Sequence, residues 1–152
     1  MKLSYQAIVT LKHILAFSGE KEIDQKGQEV LSPRRLNGEE ASQRRHFFKN
    51  TEEFITKQEK EVNEKIEGAK EAYKKAHKKK EKEADGDYEM KMINTLNADK
   101  DLLKELNERR KAEIEVEMTD KTKEVAKKYF DGWKGWVVGD DEVVEYLVEV
   151  LK

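Results

Sequence analysis

Residues 55–76 read ITKQEKEVNEKIEGAKEAYKKA, and the whole fold turns on how this stretch is read. Its apolar positions, Ile55, Val62, Ile66, Ala69, Tyr73 and Ala76, follow a heptad-like rhythm, and most residues between them are Lys, Glu, Gln or Asn. A seam this narrow covers one partner helix and is too thin for a broad core contact. Asp85-Gly86-Asp87 reads as the break. A second arm then starts around Tyr88, with Met92, Leu96, Leu103 and Leu106 along its seam and Ile93 and Leu102 in support. Two matching seams joined by a short turn predict an antiparallel, coiled-coil-like helical hairpin over 49–110. In it Val62, Ile66, Ala69 and Tyr73 face Leu96, Leu103 and Leu106. An arm of roughly 30 residues at ~1.5 Å per residue reaches about 45 Å. Asn50 followed by Glu53 reads as a capping signal with a helix restart near Asn50. Asn37 with Glu40 is the same signal at the start of the charged helical region.

Outward from this hairpin, the period changes from 3.6 to 2. Ala112, Ile114, Val116 and Met118 alternate with Glu113, Glu115 and Glu117, the pattern of a half-buried strand with an acidic outer face. Upstream, Ile23 and Val30-Leu31 flank Asp24-Gln25-Lys26-Gly27, which predicts a β-hairpin closed before Pro33, the only proline. The strand at 112–118 is expected to join that hairpin in a sheet of about three strands. Residues 5–17 place Ile8, Leu11 and Leu15 on one helical stripe beside Ala7 and Ile14, with Gly19 as the expected stop. Thr119 or Asp120 opens a further helix through Tyr129-Phe130, and Asp140-Asp141-Glu142 opens the last one. The predicted fold class is therefore mainly α (α+β). A small head from residues 1–48 and 111–152 carries the short sheet and flanking helices, and the helical hairpin projects from it.

Composition narrows the function. Of 152 residues, 36% are hydrophobic and 42% charged, which leaves much of the chain as solvated surface. With 31 basic against 33 acidic residues there is no strong net field to steer nucleic acid or anionic membrane. Cysteine is absent, so disulfides, thiolate metal sites and Cys nucleophiles are excluded. No apolar run is long enough to span a membrane, and residues 5–17, interrupted by Lys12 and His13, make a poor signal peptide. The expectation is a soluble cytoplasmic protein, monomer or dimer.

Few residues point to chemistry. His13, His46 and His77 lie in three different segments without metal-ligand spacing, and read as packing or surface histidines. Asp85-Gly86-Asp87 fails as a calcium loop because Met90 and Leu96 occupy the glycine and bidentate positions. There is no phosphate loop, dinucleotide fingerprint or nucleophile elbow. The chain is accordingly expected to be no enzyme and to hold no metal or cofactor. Three sets remain for partner binding. Lys74, Lys75, Lys78, Lys79 and Lys80 crowd the expected hairpin tip with Lys82, as a solvated helix end or as a patch that binds a phosphate backbone or an acidic protein face. Arg44 and Arg45 precede His46-Phe47-Phe48, where arginine and aromatic residues either grip nucleic acid or bolt the hairpin to the head. Trp133 and Trp136, the only tryptophans, sit in GWKGWVVG, as an interface hot spot or as the plug of a small core.

Met1-Lys2-Leu3, Arg44-Arg45-His46-Phe47, Leu106-Asn107-Glu108, Glu113-Ile114-Glu115-Val116 and the acidic-aliphatic stretch 140–151 give an order of parts that resembles small accessory proteins of tailed phages, a family without an assigned activity. The resemblance implies an accessory protein acting in a bacterial cytoplasm. The function expected is protein binding that occludes a bacterial defence complex. The alternatives are a virion-assembly adaptor or chaperone, and nucleic-acid binding through the tip lysines and the Arg44-Arg45 cluster.

Overall fold

The computed structural model describes all residues, 1–152. The chain is mainly helical, with six α-helices and two small two-stranded sheets. In order they are β1 (Lys2–Ser4), α1 (Tyr5–Ala16), β2 (Phe17–Ile23), β3 (Glu29–Pro33), α2 (Gly38–Ala76), α3 (Asp85–Asn97), α4 (Lys100–Arg110), β4 (Glu113–Glu115), α5 (Asp120–Asp131) and α6 (Asp141–Val150). They form two units: Met1–Ile55 together with Glu113–Lys152, and Thr56–Ala112. Helix α2 belongs to the first unit up to Ile55 and to the second from Thr56.

The first unit is built around α1. Ala7, Ile8, Leu11, Ile14 and Leu15 are all buried. Three other helices supply i, i+4, i+8 stripes to the same core: Phe47, Thr51 and Ile55 from α2, Thr122, Ala126 and Phe130 from α5, and Val143, Leu147 and Leu151 from α6 and its end. Thr51 and Thr122 are the polar members. The Thr122 hydroxyl donates to Gln43 Oε1 at 2.7 Å, and the Thr51 hydroxyl donates to the Phe47 carbonyl of its own helix at 2.8 Å, so neither buried hydroxyl is left open.

The end of α1 is closed without a glycine. Gly19 does not stop the helix: Phe17 is already extended, and its N–H reaches the His13 carbonyl. The Ile14 carbonyl accepts from Arg34 Nε at 2.6 Å, the Leu15 carbonyl from Arg44 Nη1 at 3.2 Å, and the Ala16 carbonyl from the Arg34 backbone N–H at 2.8 Å. The last four carbonyls of the helix thus all find donors, two of them cationic, at the negative end of its dipole. Gly19, at φ +85°, instead sits inside β2 where the register shifts between Phe17 and Lys21.

The sheet differs from the expected three strands. β4 pairs antiparallel with β1, Leu3 opposite Ile114, and not with the hairpin. Three residues, Lys-Leu-Ser, are too few to read as a strand. The pairing is nevertheless well supported, because the Met1 ammonium binds Glu115 at 2.9 Å and the Val116 N–H donates to the Met1 carbonyl at 2.8 Å. Leu3 and Val116 enter the core while Glu113, Glu115 and Glu117 stay outside. Tyr146 of α6 fastens this sheet, accepting from the Ser4 N–H and donating to Glu113, both at 3.0 Å. The β2–β3 hairpin pairs only with itself. Asp24 Oδ1 accepts from the Lys26 and Gln28 N–H groups in its turn, and Gly27 takes φ +76°.

The capping box at Asn37 is present: Glu40 N–H donates to Asn37 Oδ1 at 2.8 Å and Asn37 N–H to Glu40 Oε1 at 3.2 Å. There is no break at Asn50. Its side chain turns aside to the Glu117 carbonyl at 3.1 Å, and α2 continues through it.

Glu40 does more than cap. Although it is a carboxylate, it is only 8% exposed, and it accepts from Lys128 Nζ and from the Tyr129 hydroxyl, both at 2.8 Å. The Lys128 hydrogen bond is the main cause that holds its carboxyl below the usual carboxylate range. Tyr129 and the Asn37 N–H act the same way, against desolvation. A depressed carboxyl stabilises the fold above the unfolded-state value, and that stabilisation disappears as pH falls through the folded value. Lys128 is shifted upward by the same contact, so its share is lost only when pH rises past the ordinary lysine range. Thermal melts from pH 7 to about pH 3 should therefore fall more steeply for the wild type than for Glu40→Gln. Parallel curves would show that this network contributes nothing to folding.

In the second unit, α2 runs antiparallel to the returning chain: Lys65 pairs with Glu105 at 2.6 Å, and Glu61 pairs with Arg109. Val62, Ile66, Ala69 and Tyr73 are half-buried, as are Leu96, Leu102 and Leu106, and Met92 is buried. Leu103 is out of the seam and exposed. The reason is a helix boundary that the sequence reading missed. Asp99 Oδ1 accepts from the Asp101 and Leu102 N–H groups, starting α4 afresh and resetting the phase after α3. The turn is also displaced. Asp85-Gly86-Asp87 is the first turn of α3, where acidic residues suit the positive helix end, and the non-helical connection is 77–84.

Candidate functional site

Trp133 lies between two glycines. A β-carbon added at Gly19 would stand 3.3 Å from its ring, and one at Gly135 would stand 2.8 Å from its Nε1. Only glycine allows both approaches, which accounts for the bulge in β2 and for the glycine spacing of the tryptophan loop. The Trp133 and Trp136 rings meet at 6.4 Å and 66°. His13 stands edge-on to Trp133 at 5.6 Å, Phe130 lies 5.5 Å from Trp136, and the Arg34 guanidinium lies 5.9 Å from Trp133. Both tryptophans pack on the core and both remain partly exposed.

The open side is a groove of about 280 Å³ lined by Val9, Thr10, His13 and Ile14 of α1 and by Trp133, Gly135, Trp136 and Asp140. Beyond Trp136 the chain exposes two more apolar side chains, Val137 at 65% and Val138 at 86%, and Val9 is 40% exposed. This apolar surface is held rigidly: Asp140 Oδ2 accepts from the Val137 N–H at 2.9 Å, fixing a 3₁₀ turn that leads into α6.

The sequence-predicted residues divide sharply. Trp133 and Trp136 line the groove. Lys74 and Lys75 lie in the last turn of α2, while Lys78, Lys79 and Lys80 lie in the non-helical turn, and all five are exposed. Arg45 is exposed and borders a shallow hollow with Lys12, Phe48, Lys49 and Glu52. Two others are corrected. Phe47 is 1% exposed and fully inside the core, so it presents nothing to a partner. Arg44 is half-buried with its guanidinium committed to the end of α1. Val9, His13, Val137 and Val138 were missed. The apolar pair after Trp136, outside any helix stripe, was the readable signal for two of them; Val9 and His13 are brought there only by packing.

A larger hollow of about 630 Å³ lies between α2 and the start of α5, lined by Gln43, His46, Asn50 and Thr119 to Thr122. Five of its polar side chains, Gln43, Asn50, Thr119, Lys121 and Thr122, are already engaged. Gln43 Oε1 accepts from Thr122 Oγ1 at 2.7 Å, Asn50 is bonded to Glu117, and Lys121 pairs with Glu39 at 3.0 Å. These contacts stitch two helices together.

No protein family, no curated protein and no solved structure matches this chain. No helix is long and apolar enough to cross a membrane.

Proposed function

We propose that this chain is a non-enzymatic protein-binding module that takes an apolar segment of its partner at the tryptophan groove. The observation that carries this reading is the exposure of Val137 and Val138 beside two tryptophan rings already anchored from below. Pre-anchored aromatic rings lose little side-chain entropy when a partner covers them, and this favours them as hot spots. Asp140, the one carboxylate lining the groove, is engaged with the Val137 N–H, which suits a binding surface better than a proton-transfer site. The antiparallel helices of the second unit form a separate coiled-coil-like hairpin. The role proposed, following the resemblance in the order of parts, is that of a phage-type accessory protein that occludes a bacterial defence complex.

A photo-crosslinking amino acid placed at Val138 in bacterial cells should give a discrete protein adduct, while the same probe at Val30 on the hairpin should not. Trp136→Ala should weaken capture by about 30-fold or more, the effect of losing a ~2 kcal/mol hot spot, and the loss should persist at high salt. No adduct at Val138, or one indifferent to Trp136→Ala, would remove the groove from consideration. A captured virion component would favour the assembly-adaptor role over occlusion.

A further inference from the structure

We propose that the turn 77–84 is a second, separate binding site, for single-stranded nucleic acid. It does not depend on the groove. Six lysines fall within nine residues, at 74, 75, 78, 79, 80 and 82, and all are exposed. On a continuous helix they would spread around the circumference and dilute one another. The helix instead ends at Ala76, and Lys78, Lys79, Lys80 and Lys82 lie on one short non-helical segment. Of the nearby carboxylates, Glu71 pairs with Lys74 at 3.7 Å, Asp85 with Lys79, and Glu83 with Lys91 from α3 at 2.7 Å, while Glu81 stands exposed within the turn. The Lys91 pair matters most, because it cancels an acid that would otherwise neutralise the turn from within. Lys75, Lys78 and Lys82 stay outside these ion pairs.

The second observation decides between classes of polyanion. Beside the lysines stands a small cluster of tilted aromatic rings. His77 lies on Tyr73 with centroids 4.6 Å apart and planes 33° apart, and Tyr73 meets Tyr88 at 5.9 Å. The Tyr88 hydroxyl donates to the His77 carbonyl at 2.7 Å and fixes the residue that carries the outermost ring. His77 is exposed, so its free face extends the cluster towards solvent. An acidic peptide gains from ammonium groups alone, whereas a base gains from both the ammonium groups and a ring to stack on. In the Arg44–Phe47 cluster, the other place where the sequence pairs cations with rings, Phe47 is lost to the core and the half-buried Phe48 ring is already covered by Lys12 at 4.8 Å, whereas His77 at this turn is exposed.

The test is fluorescence anisotropy of the full chain with labelled oligo(dT) of 20 nucleotides. Binding is expected at about 50 mM salt and should weaken with a log–log slope of about −2 to −3, as for three or four phosphate contacts at ~0.7 each. Replacing Lys75, Lys78, Lys80 and Lys82 by Gln should weaken binding by tenfold or more and flatten the slope. His77→Ala should weaken it about tenfold and leave the slope unchanged, because it removes stacking and no cation. Trp136→Ala should have no effect, and unchanged circular dichroism of each variant excludes misfolding as the cause. Absence of binding at low salt overturns the proposal. So does displacement by polyglutamate at equal charge, or an unaltered affinity in His77→Ala, either of which would mark the turn as a site for any polyanion, acidic proteins included.

Discussion

Val116→Asp is expected to unfold the unit formed by Met1–Ile55 and Glu113–Lys152. Val116 is 1% exposed, just past β4, and its N–H is bonded to the Met1 carbonyl. Its surroundings are apolar: Leu3 and Ile114 of the small sheet and the buried stripe of α1 belong to the same cluster. The Met1 ammonium nearby is already engaged by Glu115 at 2.9 Å and by the Val116 carbonyl at 3.3 Å, and burying a carboxylate among apolar side chains costs several kcal/mol, a large part of the roughly 5–15 kcal/mol that holds a domain together. The readout is the near-ultraviolet circular dichroism of Trp133 and Trp136 with a thermal melt, and both the tryptophan signal and the cooperative transition should be lost. Ion pairs Lys65–Glu105 and Glu61–Arg109 lie in the other unit, so some far-ultraviolet helical signal should survive. A soluble variant with an unchanged melting temperature would place β4 outside the core and refute the packing described above.

The second large effect separates two residues of one motif. Phe47→Ala should cost about 3–5 kcal/mol, the usual range for emptying a buried aromatic site, and lower the melting temperature by roughly 10 °C or more. Arg45→Ala, two residues earlier and exposed, should change stability by no more than about 0.5 kcal/mol. Read as a nucleic-acid-gripping cluster, Arg44-Arg45-His46-Phe47-Phe48 would predict the opposite division, with both variants stable and both defective in binding. Equal, small stability losses in the two variants would argue that Phe47 is not the core residue its burial indicates.

Much of the architecture could be read from periodicity, because a repeated apolar spacing reports which face of an element is covered. The stripe of α1 and the alternation at 113–118 are of this kind, while the Asn37–Glu40 cap and the turn at Asp24–Gly27 were legible from local side-chain-to-backbone hydrogen bonding. The errors share a cause as well. Asn50-Glu53 has the form of a cap, but a cap acts only where the preceding residues are not helical, and a tertiary contact to Glu117 takes the Asn50 amide instead. Asp85-Gly86-Asp87 looks like a turn, yet acids are equally suited to the first turn of a helix, and local sequence does not distinguish the two. The partner of β4 was misassigned because strand pairing is non-local, and a three-residue N-terminal strand has no signature of its own.

The candidate groove was legible in part. Two tryptophans in a glycine-rich loop marked a place of interest, but the same residues serve a core plug and a hot spot equally well, since both roles need a large ring held in place.

The amino-acid sequence by itself determined that this chain is mostly solvated helix, that its cysteine-free surface carries nearly balanced charge, and which faces of its helices are apolar. Those properties depend on composition and on neighbours within a turn or two. Only the tertiary structure decided which apolar residues are enclosed. It put Phe47 inside and Val137 and Val138 outside, committed Arg34 and Arg44 to the carbonyls of α1, and seated Trp133 against Gly19, 114 positions earlier in the chain. Burial and hydrogen-bond satisfaction are properties of segments brought together from far apart, and no local pattern encodes which distant segment will arrive.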